Sequence, residues 1–265
     1  AKVVHIDIDE SEINKVIPTT LGIVADCKKV LEALVIEYQS HATYKEWVDH
    51  CLDNKSKHPF KYKEANDTFC RPQEAIEYIG KITNGEAIVT TDVGQHQMWS
   101  AQFYPFKHHS QWVTSGGLGT MGFGIPSAIG AQLAAPDKTV VCFVGDGGFQ
   151  MTNQEMALLP EYHLNVKIVL INNGTLGMVK QWQDKFFNQR FSHSVFNDQP
   201  DFIKMAEAYG VKSFLIDHPN KLKAQLDEAF NYEGPALIEV RISPAEPVNP
   251  MIPSGKANHE MEGLE

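Results

Sequence analysis

Two polar motifs, each at the end of an apolar run, could together hold a metal ion that carries phosphate. The run Val140–Val144 is followed by Asp146 in the motif GDG, and the run Val166–Ile171 is followed by Asn173 in the motif NNG. A carboxylate and an amide oxygen are hard ligands that suit Mg²⁺, and such an ion completes its shell with water and with phosphate oxygens of the ligand. The pair therefore predicts a magnesium site that binds a phosphorylated ligand.

Glycines flank the predicted carboxylate ligand. Gly145, Gly147 and Gly148 have no side chain to keep a phosphate away from the backbone, which favours a phosphate-binding role. The alternative interpretation is an ordinary turn at the end of a buried strand, since Gly and Asp are common turn residues. The separation of Asp146 from Asn173 accommodates one helix and one returning strand, which favours the metal site.

The segments around these motifs predict how the motifs are positioned. From Arg71 to Arg241 strand-like and helix-like segments alternate, and the two central strands are largely apolar along their whole length. Such strands, joined by helices, are typical of a parallel sheet that is covered on both faces. Right-handed crossovers bring the carboxyl ends of the strands to one edge, where open α/β sheets bind ligands. We therefore expect an α/β fold with a doubly wound, mainly parallel sheet.

Two more loops at this edge carry candidate ligand-binding residues. Gln95 and His96 follow a predicted strand and could donate hydrogen bonds to a diphosphate, although His96 could equally be an ordinary surface or core histidine. The glycine run SGGLGTMGFG contains Gly119 and Met121. It is either a flexible turn or a backbone that approaches a flat ring closely, with Met121 as an adaptable apolar contact.

Met178 and Trp182 follow the asparagine motif. They are four residues apart on a predicted helix and therefore share one face of it. Core packing is the default interpretation of such a pair. Because the helix starts at the predicted metal site, the pair could instead line the pocket above the ligand.

The composition argues against several classes of protein. The chain has 265 residues, of which 43% are hydrophobic, and a formal net charge of −10. Nucleic acid and anionic membrane surfaces are therefore not expected as partners, and no apolar run approaches the ~20 residues that span a bilayer. The four cysteines lack the spacing of a zinc site, and a reduced cytoplasm fits them best.

The first part of the chain predicts an incomplete domain. A strand over Val3–Ile8 and a helix over Asp26–Ile36 cannot bury a core by themselves. Residues 1–37 are therefore expected to be the end of a domain, and a start without methionine at a strand-like run suggests a cut within a longer protein.

The rest of the chain predicts three further parts. Residues 38–71 are rich in Lys, His, Asp and Asn, contain one predicted helix over Tyr44–Cys51, and are expected to be an interdomain linker. Residues 72–241 form the predicted ligand-binding domain. Residues 242–265 are a predicted tail, with a proline-rich beginning that is not expected to form regular structure.

Four motifs together resemble a known family. GQHQMW, TSGGLGTMGFG, GDGGFQMT and NNGTLGMVKQWQ are similar to the large, catalytic subunits of acetohydroxyacid synthase (acetolactate synthase), which depend on thiamine diphosphate (ThDP). The likeness runs from the first residue to the last and includes the tail PMIPSGKANHEMEG. It implies the ThDP-binding fold for residues 72–241, as the diphosphate-binding domain.

The resemblance implies roles for the candidate residues. Asp146, Asn173 and the backbone carbonyl of Thr175 would hold Mg²⁺, and Gln95 and His96 would hold the diphosphate of ThDP.

Further roles concern the ring and the substrate. Gly119 and Met121 would shape the bent cofactor, and Met178 and Trp182 would line the pocket for the second 2-ketoacid.

The resemblance also implies groups that lie outside this chain. Subunits of the family have a pyrimidine-binding, a central FAD-binding and a C-terminal diphosphate-binding domain. Residues 1–37 would be the end of the FAD-binding domain, with Asp7 and Asp26 in a partial FAD site. The glutamate that activates ThDP belongs to the first domain of the neighbouring subunit, so no catalytic residue is expected in this chain and the chain alone is expected to be inactive.

The implied reaction joins an acetaldehyde unit from decarboxylated pyruvate to a second 2-ketoacid in branched-chain amino-acid biosynthesis. The products are acetolactate from pyruvate and acetohydroxybutyrate from 2-ketobutyrate. A homodimer or tetramer of the whole subunit and a regulatory subunit are implied as partners. The alternatives are another ThDP-dependent 2-ketoacid decarboxylase or oxidase and a non-catalytic module that binds ThDP or another nucleotide-like phosphate.

Overall fold

The computed structural model describes residues 1–38, 43–63 and 68–263. They form two compact units, Ala1–Pro59 and Phe60–Glu265. The predicted limits of the linker and the tail stay predictions, and parts of both lie outside the described residues, at 39–42, 64–67 and 264–265.

The unit Ala1–Pro59 contains two strands and two helices. Strands β1 (Val4–Asp7) and β2 (Leu21–Val24) pair in parallel, and helix α1 (Cys27–Glu37) follows them. Strand β2 was not predicted, because its four residues are too few to show a period. None of the described residues of this unit is buried.

Helix α2 (Lys45–Lys57) extends beyond the predicted range Tyr44–Cys51. Two ion pairs at i,i+4 spacing support its ends, one between Lys45 and Asp49 and one between Lys57 and Asp53. A large part of the predicted linker is therefore helical.

The unit Phe60–Glu265 is built on a six-stranded parallel sheet, which confirms the predicted fold class. Its elements in chain order are α3 (Pro72–Ile82), β3 (Ile88–Thr91), α4 (Gln95–Phe103), β4 (Trp112–Thr114), α5 (Gly124–Ala134), β5 (Val140–Gly145), α6 (Asp146–Thr152), α7 (Leu158–Glu161), β6 (Val166–Asn172), α8 (Gly177–Phe186), α9 (Phe202–Ala208), β7 (Lys212–Ile216), α10 (Leu222–Asn231) and β8 (Ala236–Arg241). The strand order is β4-β3-β5-β6-β8-β7.

Both faces of this sheet are covered by helices. Alternate residues of β5 belong to two different cores, with Val141 and Phe143 in one and Val140, Cys142 and Val144 in the other. Helices α3, α4 and α10 contribute to the first core, and α5, α7 and α9 to the second. Because every residue of β5 is buried, the strand is apolar throughout, as a strand between two helical layers must be.

The strand order reverses between β3 and β5, which are neighbours in the sheet. The chain leaves β3 towards β4 on one side and leaves β5 towards β6 on the other. Loops at such a switch point separate and leave a crevice at the carboxyl ends of the strands. The sheet topology therefore creates a ligand site after β3 and β5.

The segment after β8 has neither helix nor strand between Ile242 and Gly263, as predicted for its proline-rich part. It is nevertheless packed against the domain, since Ile242 and Val248 lie in the first core and Met251 is also buried. Among the described residues, no helix has both the length and the apolar character needed to cross a bilayer.

Candidate functional site

A cavity of about 280 Å³ lies at the carboxyl ends of β3, β5 and β6. Most of the residues singled out from the sequence line it. They are Gln95, His96, Gly119, Met121, Gly145, Asp146, Gly147, Gly148, Asn173, Thr175 and Met178.

The register of two strands brings the metal-site candidates together. Strands β5 and β6 pair in parallel with Gly145 opposite Ile171, so Asp146 and Asn173 leave the sheet side by side. Of the described residues that line the cavity, Asp146 is the only carboxylate. The site can therefore offer one negative charge to a cation.

Asp146 is almost fully buried and already hydrogen-bonded. Its Oδ1 accepts from the Gly147 N–H (3.0 Å), and its Oδ2 accepts from Gln199 Nε2 (2.7 Å). Burial raises the pKa of Asp146 to about 6, against hydrogen bonds from Gln199, Gly147 and Gly174 that favour the ionised form. A bound cation would favour ionisation in the same way.

Asn173 and Thr175 form one tight turn after β6. Asn173 Oδ1 accepts from both the backbone N–H and the Oγ1 hydroxyl of Thr175, each at 3.0 Å. Carboxylate, amide and carbonyl oxygens from these residues are a donor set that suits Mg²⁺. No cluster of three or more His, Cys, Asp or Glu side chains offers another metal site in the described ranges.

Two helices direct their N-termini at the cavity. Helix α4 starts at Gln95 and α8 starts at Gly177, and both first turns line the cavity. The first N–H groups of a helix have no partner inside the helix, and the helix dipole favours an anion there. Two such ends facing one cavity suit a diphosphate.

His96 is buried at the base of this cavity. The Nε2 atom of His96 is buried and has no hydrogen-bond partner in the structure. A Cβ at Gly145 would lie 2.8 Å from His96 Nδ1, so any side chain at position 145 would collide with the ring. Burial lowers the pKa of His96 to about 4, despite the opposing effect of Asp92, so the ring is neutral at neutral pH. An unpaired buried nitrogen fits a residue that meets a ligand.

Gln95 lies at the cavity, but its side chain is engaged elsewhere. Its Nε2 donates to Gln181 Oε1 (2.8 Å) and to the backbone oxygen of Glu246 (3.1 Å), and its Oε1 accepts from Asn173 Nδ2 (3.0 Å). The side chain has no hydrogen left for a diphosphate. The predicted side-chain donation is therefore not what the structure shows, and the backbone N–H at the start of α4 is the better candidate.

The glycine-rich loop reaches the cavity with two of its predicted residues. Gly119 has φ of +65°, a conformation that other residues rarely adopt. Met121 lines the cavity, and its Cε lies 3.8 Å from where a Cβ on Gly147 would be. The loop therefore brings its backbone and one apolar side chain to the ligand edge.

The two predicted pocket residues on α8 have different surroundings. Met178 lines the cavity and packs against the first core. Trp182, one turn later, is 46% exposed and stacks edge to face on Phe186 with ring centroids 6.5 Å apart. Trp182 is therefore neither a core residue nor part of the cavity wall within this chain.

Asp7 and Asp26 lie in the other unit. Asp7 Oδ1 accepts from the Asp9 N–H, and the Asp26 carboxylate caps α1 by accepting from the Lys29 N–H. Their predicted contact with FAD stays a prediction.

Three contributors to the site were not predicted from the sequence. Gln199 donates a hydrogen bond to the carboxylate of Asp146, and Gln181 accepts one from Gln95. The tail supplies the backbone oxygen of Glu246, which accepts from Gln95, and the backbone N–H of Val248, which donates to Gln181. Gln181 lies three residues after Met178 on α8 and could have been noticed by that spacing. Gln199 lies in a loop with no recognisable signal.

Comparison with known proteins identifies similar chains. Residues 92–240 match the family described as thiamine pyrophosphate enzyme, C-terminal TPP binding domain. The chain is 52% identical to an acetolactate synthase large subunit of Lactococcus lactis subsp. lactis (strain IL1403), over 100% of this chain and 46% of the relative.

Two further relatives carry related names. The chain is 40% identical to the acetolactate synthase isozyme 2 large subunit of Escherichia coli (strain K12), over 98% of this chain and 47% of the relative. It is 42% identical to acetolactate synthase 1, chloroplastic, of Nicotiana tabacum, over 97% of this chain and 40% of the relative. The chain thus spans less than half the length of these relatives.

Proposed function

Because this chain belongs to the thiamine pyrophosphate enzymes, we propose that its cavity binds the diphosphate of ThDP together with Mg²⁺. One observation carries this proposal: Asp146 and the Asn173–Thr175 turn meet at a cavity that also receives the N-termini of α4 and α8. A cation at the oxygen ligands and an anion at the helix ends would neutralise each other. Mg²⁺ with a diphosphate is such a pair.

Each group of this chain has a separate task in the proposed binding. Asp146 gives the cation its protein charge, Asn173 its side-chain oxygen and Thr175 its backbone carbonyl, while the first N–H groups of α4 and the neutral His96 contact the diphosphate. When bound, ThDP supplies the carbanion stabilisation that decarboxylation of a 2-ketoacid requires. The protein contributes binding, orientation and exclusion of water.

We further propose that the chain serves an acetolactate synthase. The reaction would join the two-carbon unit from pyruvate to pyruvate or 2-ketobutyrate, in branched-chain amino-acid biosynthesis. Relatives with this name match nearly the whole chain at 40–52% identity, which favours this reaction over that of another ThDP-dependent decarboxylase or oxidase. Met178 lines the cavity and packs against the first core, and it is proposed to contact the substrate beside the cofactor.

Other parts of the active site would come from outside this chain. The cavity contains no carboxylate besides Asp146 among the described residues, so the glutamate that activates ThDP is proposed to come from a neighbouring subunit. We also propose FAD near Asp7 and Asp26, assembly of whole subunits as dimers or tetramers, and a regulatory subunit, which the name "large subunit" of the relatives supports. A polypeptide of these 265 residues spans less than half the length of the relatives, and the glutamate is proposed to lie in the part that it does not match. Mixed with pyruvate, ThDP, Mg²⁺ and FAD, it should give no acetolactate, and rapid turnover would contradict this assignment.

A reducing compartment such as the cytoplasm is the proposed location. All four cysteines are free thiols, two of them exposed, as reducing conditions would keep them. Relatives described as chloroplastic leave an organelle as the alternative.

A cofactor titration tests the proposed binding function. Calorimetry on the whole chain should show ThDP binding that requires Mg²⁺, with no comparable binding of an adenine nucleotide. Asp146→Ala should remove most of the Mg²⁺-dependent binding while circular dichroism stays unchanged. ThDP affinity that is the same for Asp146→Ala would contradict the metal assignment, and preferential binding of the adenine nucleotide would support a different phosphate-binding module.

Trp182 is proposed to select the second 2-ketoacid in a complete enzyme. Its half-exposed indole lies one turn beyond Met178 on α8, where a further protein surface could complete a pocket. One methylene changes binding in an apolar pocket by about 1–3 kcal/mol. Trp182→Leu should therefore lower the preference for 2-ketobutyrate over pyruvate by about tenfold, and an unchanged product ratio would show that Trp182 is not the selector.

A further inference from the structure

A series of hydrogen-bonded amides connects the tail to the proposed metal ligand. The backbone N–H of Val248 donates to Gln181 Oε1 (2.9 Å), and Gln95 Nε2 donates to the same oxygen (2.8 Å). Asn173 Nδ2 then donates to Gln95 Oε1 (3.0 Å). Two side chains, Gln181 of α8 and Gln95 of α4, therefore lie between the tail and the proposed ligand Asn173.

The backbone of the tail determines which group donates and which accepts along this series. A side-chain amide can turn over and exchange its oxygen with its nitrogen at almost no change of shape, but a backbone N–H can only donate and a backbone carbonyl can only accept. The Val248 N–H requires the oxygen of Gln181. The Gln181 oxygen and the backbone oxygen of Glu246 (3.1 Å) both require the nitrogen of Gln95, whose oxygen is then left for Asn173.

The orientation of the Asn173 amide determines whether a cation can bind to it. Two sets of contacts require the same orientation of the Asn173 amide: its nitrogen donates to Gln95, and its Oδ1 accepts from the backbone N–H and the hydroxyl of Thr175. A magnesium ion needs this oxygen and is not bound by an amide nitrogen. The opposite orientation of Asn173 would present N–H groups to the cation.

Burial and close packing make the arrangement rigid. Gln95 and Gln181 are both buried, so an unpaired amide in either position would be costly. A Cβ on Gly177 would lie 2.0 Å from Gln95 Oε1 and 2.5 Å from Asn173 Nδ2. Helix α8 can therefore begin beside this hydrogen bond only because residue 177 is glycine.

We propose that Gln181 is a positioning residue for the magnesium site. The backbone groups of Glu246 and Val248 fix the amide orientations of Gln95 and Gln181. Gln95 in turn favours the orientation of Asn173 in which its oxygen faces the cation. The role rests on the proposed function, because it concerns the same cation. Gln181 itself does not line the cavity. Its loss would leave the backbone oxygen of Glu246 as the one fixed acceptor for Gln95, so the Gln95 contact that reinforces the binding orientation of Asn173 would weaken.

Two substitutions of Gln181 test the role on the whole chain. Gln181→Met removes the acceptor for Gln95 and Val248. Gln181→Glu keeps an acceptor oxygen for both and, because burial favours its protonated form, keeps a donor for the Val248 oxygen that Gln181 Nε2 contacts at 3.2 Å. Calorimetric titration of Mg²⁺ at a fixed concentration of ThDP should show affinity about tenfold weaker for Gln181→Met, the effect typical of groups that orient a metal ligand. Affinity for Gln181→Glu should stay close to that of the unchanged protein.

Gln132→Met is the matched control for loss of a buried glutamine. The Gln132 amide is also buried and donates to three backbone oxygens, those of Ala135, Pro136 and Lys138, away from the cavity. This variant should lower stability and leave Mg²⁺ affinity unchanged. Equal weakening in Gln132→Met and Gln181→Met, or no weakening in Gln181→Met, would overturn the positioning role.

A double substitution tests whether Gln181 acts through Gln95. The loss of affinity in Gln95→Met/Gln181→Met should equal that in Gln95→Met alone, because one broken link suffices. Additive losses would overturn the proposed route. If the unchanged protein shows no Mg²⁺-dependent binding of ThDP, both the proposed function and the positioning role are rejected. If the unchanged protein and Gln181→Met bind equally well, only the positioning role is rejected.

Discussion

The two units of the chain have similar local structure and very different interiors. Both contain parallel strands, and both contain helices capped by aspartate, Asp26 on α1 and Asp201 on α9. The unit Phe60–Glu265 nevertheless has two cores, whereas no described residue of Ala1–Pro59 is buried. Caps and strand pairing thus form elements, but burial of apolar surface makes them stable.

The largest expected difference is in independent folding. Residues 60–265 expressed alone should unfold cooperatively, because both cores lie within them. Residues 1–59 alone should show no cooperative transition, since a small unit without buried side chains gains too little from apolar burial to offset the loss of conformational entropy. Thermal denaturation followed by circular dichroism measures both, and a cooperative transition of residues 1–59 would contradict the comparison.

The same substitution in the two units should have different costs. Ile168 in β6 is completely buried, and Ile8 beside β1 is 73% exposed. Ile168→Ala should lower the free energy of unfolding by about 2–5 kcal/mol, and Ile8→Ala should change it by less than about 0.5 kcal/mol. Urea denaturation of the whole chain gives both values. Similar costs at the two positions would show that Ile8 is packed in solution.

A buried lysine should give the larger unit a characteristic pH dependence. Lys167 is buried in β6, where its Nζ donates to the backbone oxygens of Tyr232 (2.6 Å) and Gly234 (2.8 Å). Burial lowers the pKa of Lys167 to about 8, from 10.5. Between these values the unfolded protein holds the proton and the folded protein does not, so the free energy of unfolding should rise with pH, by at most about 3 kcal/mol.

A matched pair of variants isolates this contribution. Subtracting the stability profile of Lys167→Met from that of the unchanged protein should leave a rise that begins near pH 8. Lys28→Met, which removes an exposed lysine of α1, serves as the control for the loss of one lysine. A flat difference for Lys167→Met would mean that Lys167 keeps its ordinary pKa in the folded protein.

The smallest expected effect concerns the two helix caps. Asp201 accepts from the Lys204 N–H at 3.0 Å and Asp26 from the Lys29 N–H at 3.1 Å, so their geometry is nearly the same. Asp201→Ala should reduce the stability of the larger unit by about 1 kcal/mol. Asp26→Ala should leave that transition unchanged while reducing helical signal only slightly. A loss of about 1 kcal/mol in both variants would mean that the two units unfold together.

The sheet and the metal motifs could be predicted because their signals are local. Strands β5 and β6 are apolar runs that end at GDG and NNG, and the rule that parallel strands share a carboxyl edge then brings Asp146 and Asn173 together. Strand β2 escaped notice because its four residues show neither alternation nor a long apolar run. Local patterns therefore predicted the frame of the site and missed a short element outside it.

The hydrogen-bond partners and surroundings of individual side chains could not be predicted from local patterns. The partners of Gln95 lie 86 and 151 residues further along the sequence, at Gln181 and Glu246, and nothing near Gln95 indicates which group its amide meets. Helical spacing showed that Met178 and Trp182 share a face, but only the packing of α8 shows that Met178 reaches the cavity and Trp182 solvent. Such facts depend on the tertiary arrangement.

The contacts of the tail with Gln95 and Gln181 also set an order of events in the cell. Proteins are synthesised from the N-terminus, and domains begin to fold as they emerge from the ribosome. All strands of the sheet precede Glu246 and Val248 in the sequence, so translation delivers the complete sheet before it delivers the groups that hold the two glutamines. A nascent polypeptide stopped at Arg241 would therefore have the complete sheet but would lack the backbone groups of Glu246 and Val248 that hold Gln95 and Gln181 at the crevice.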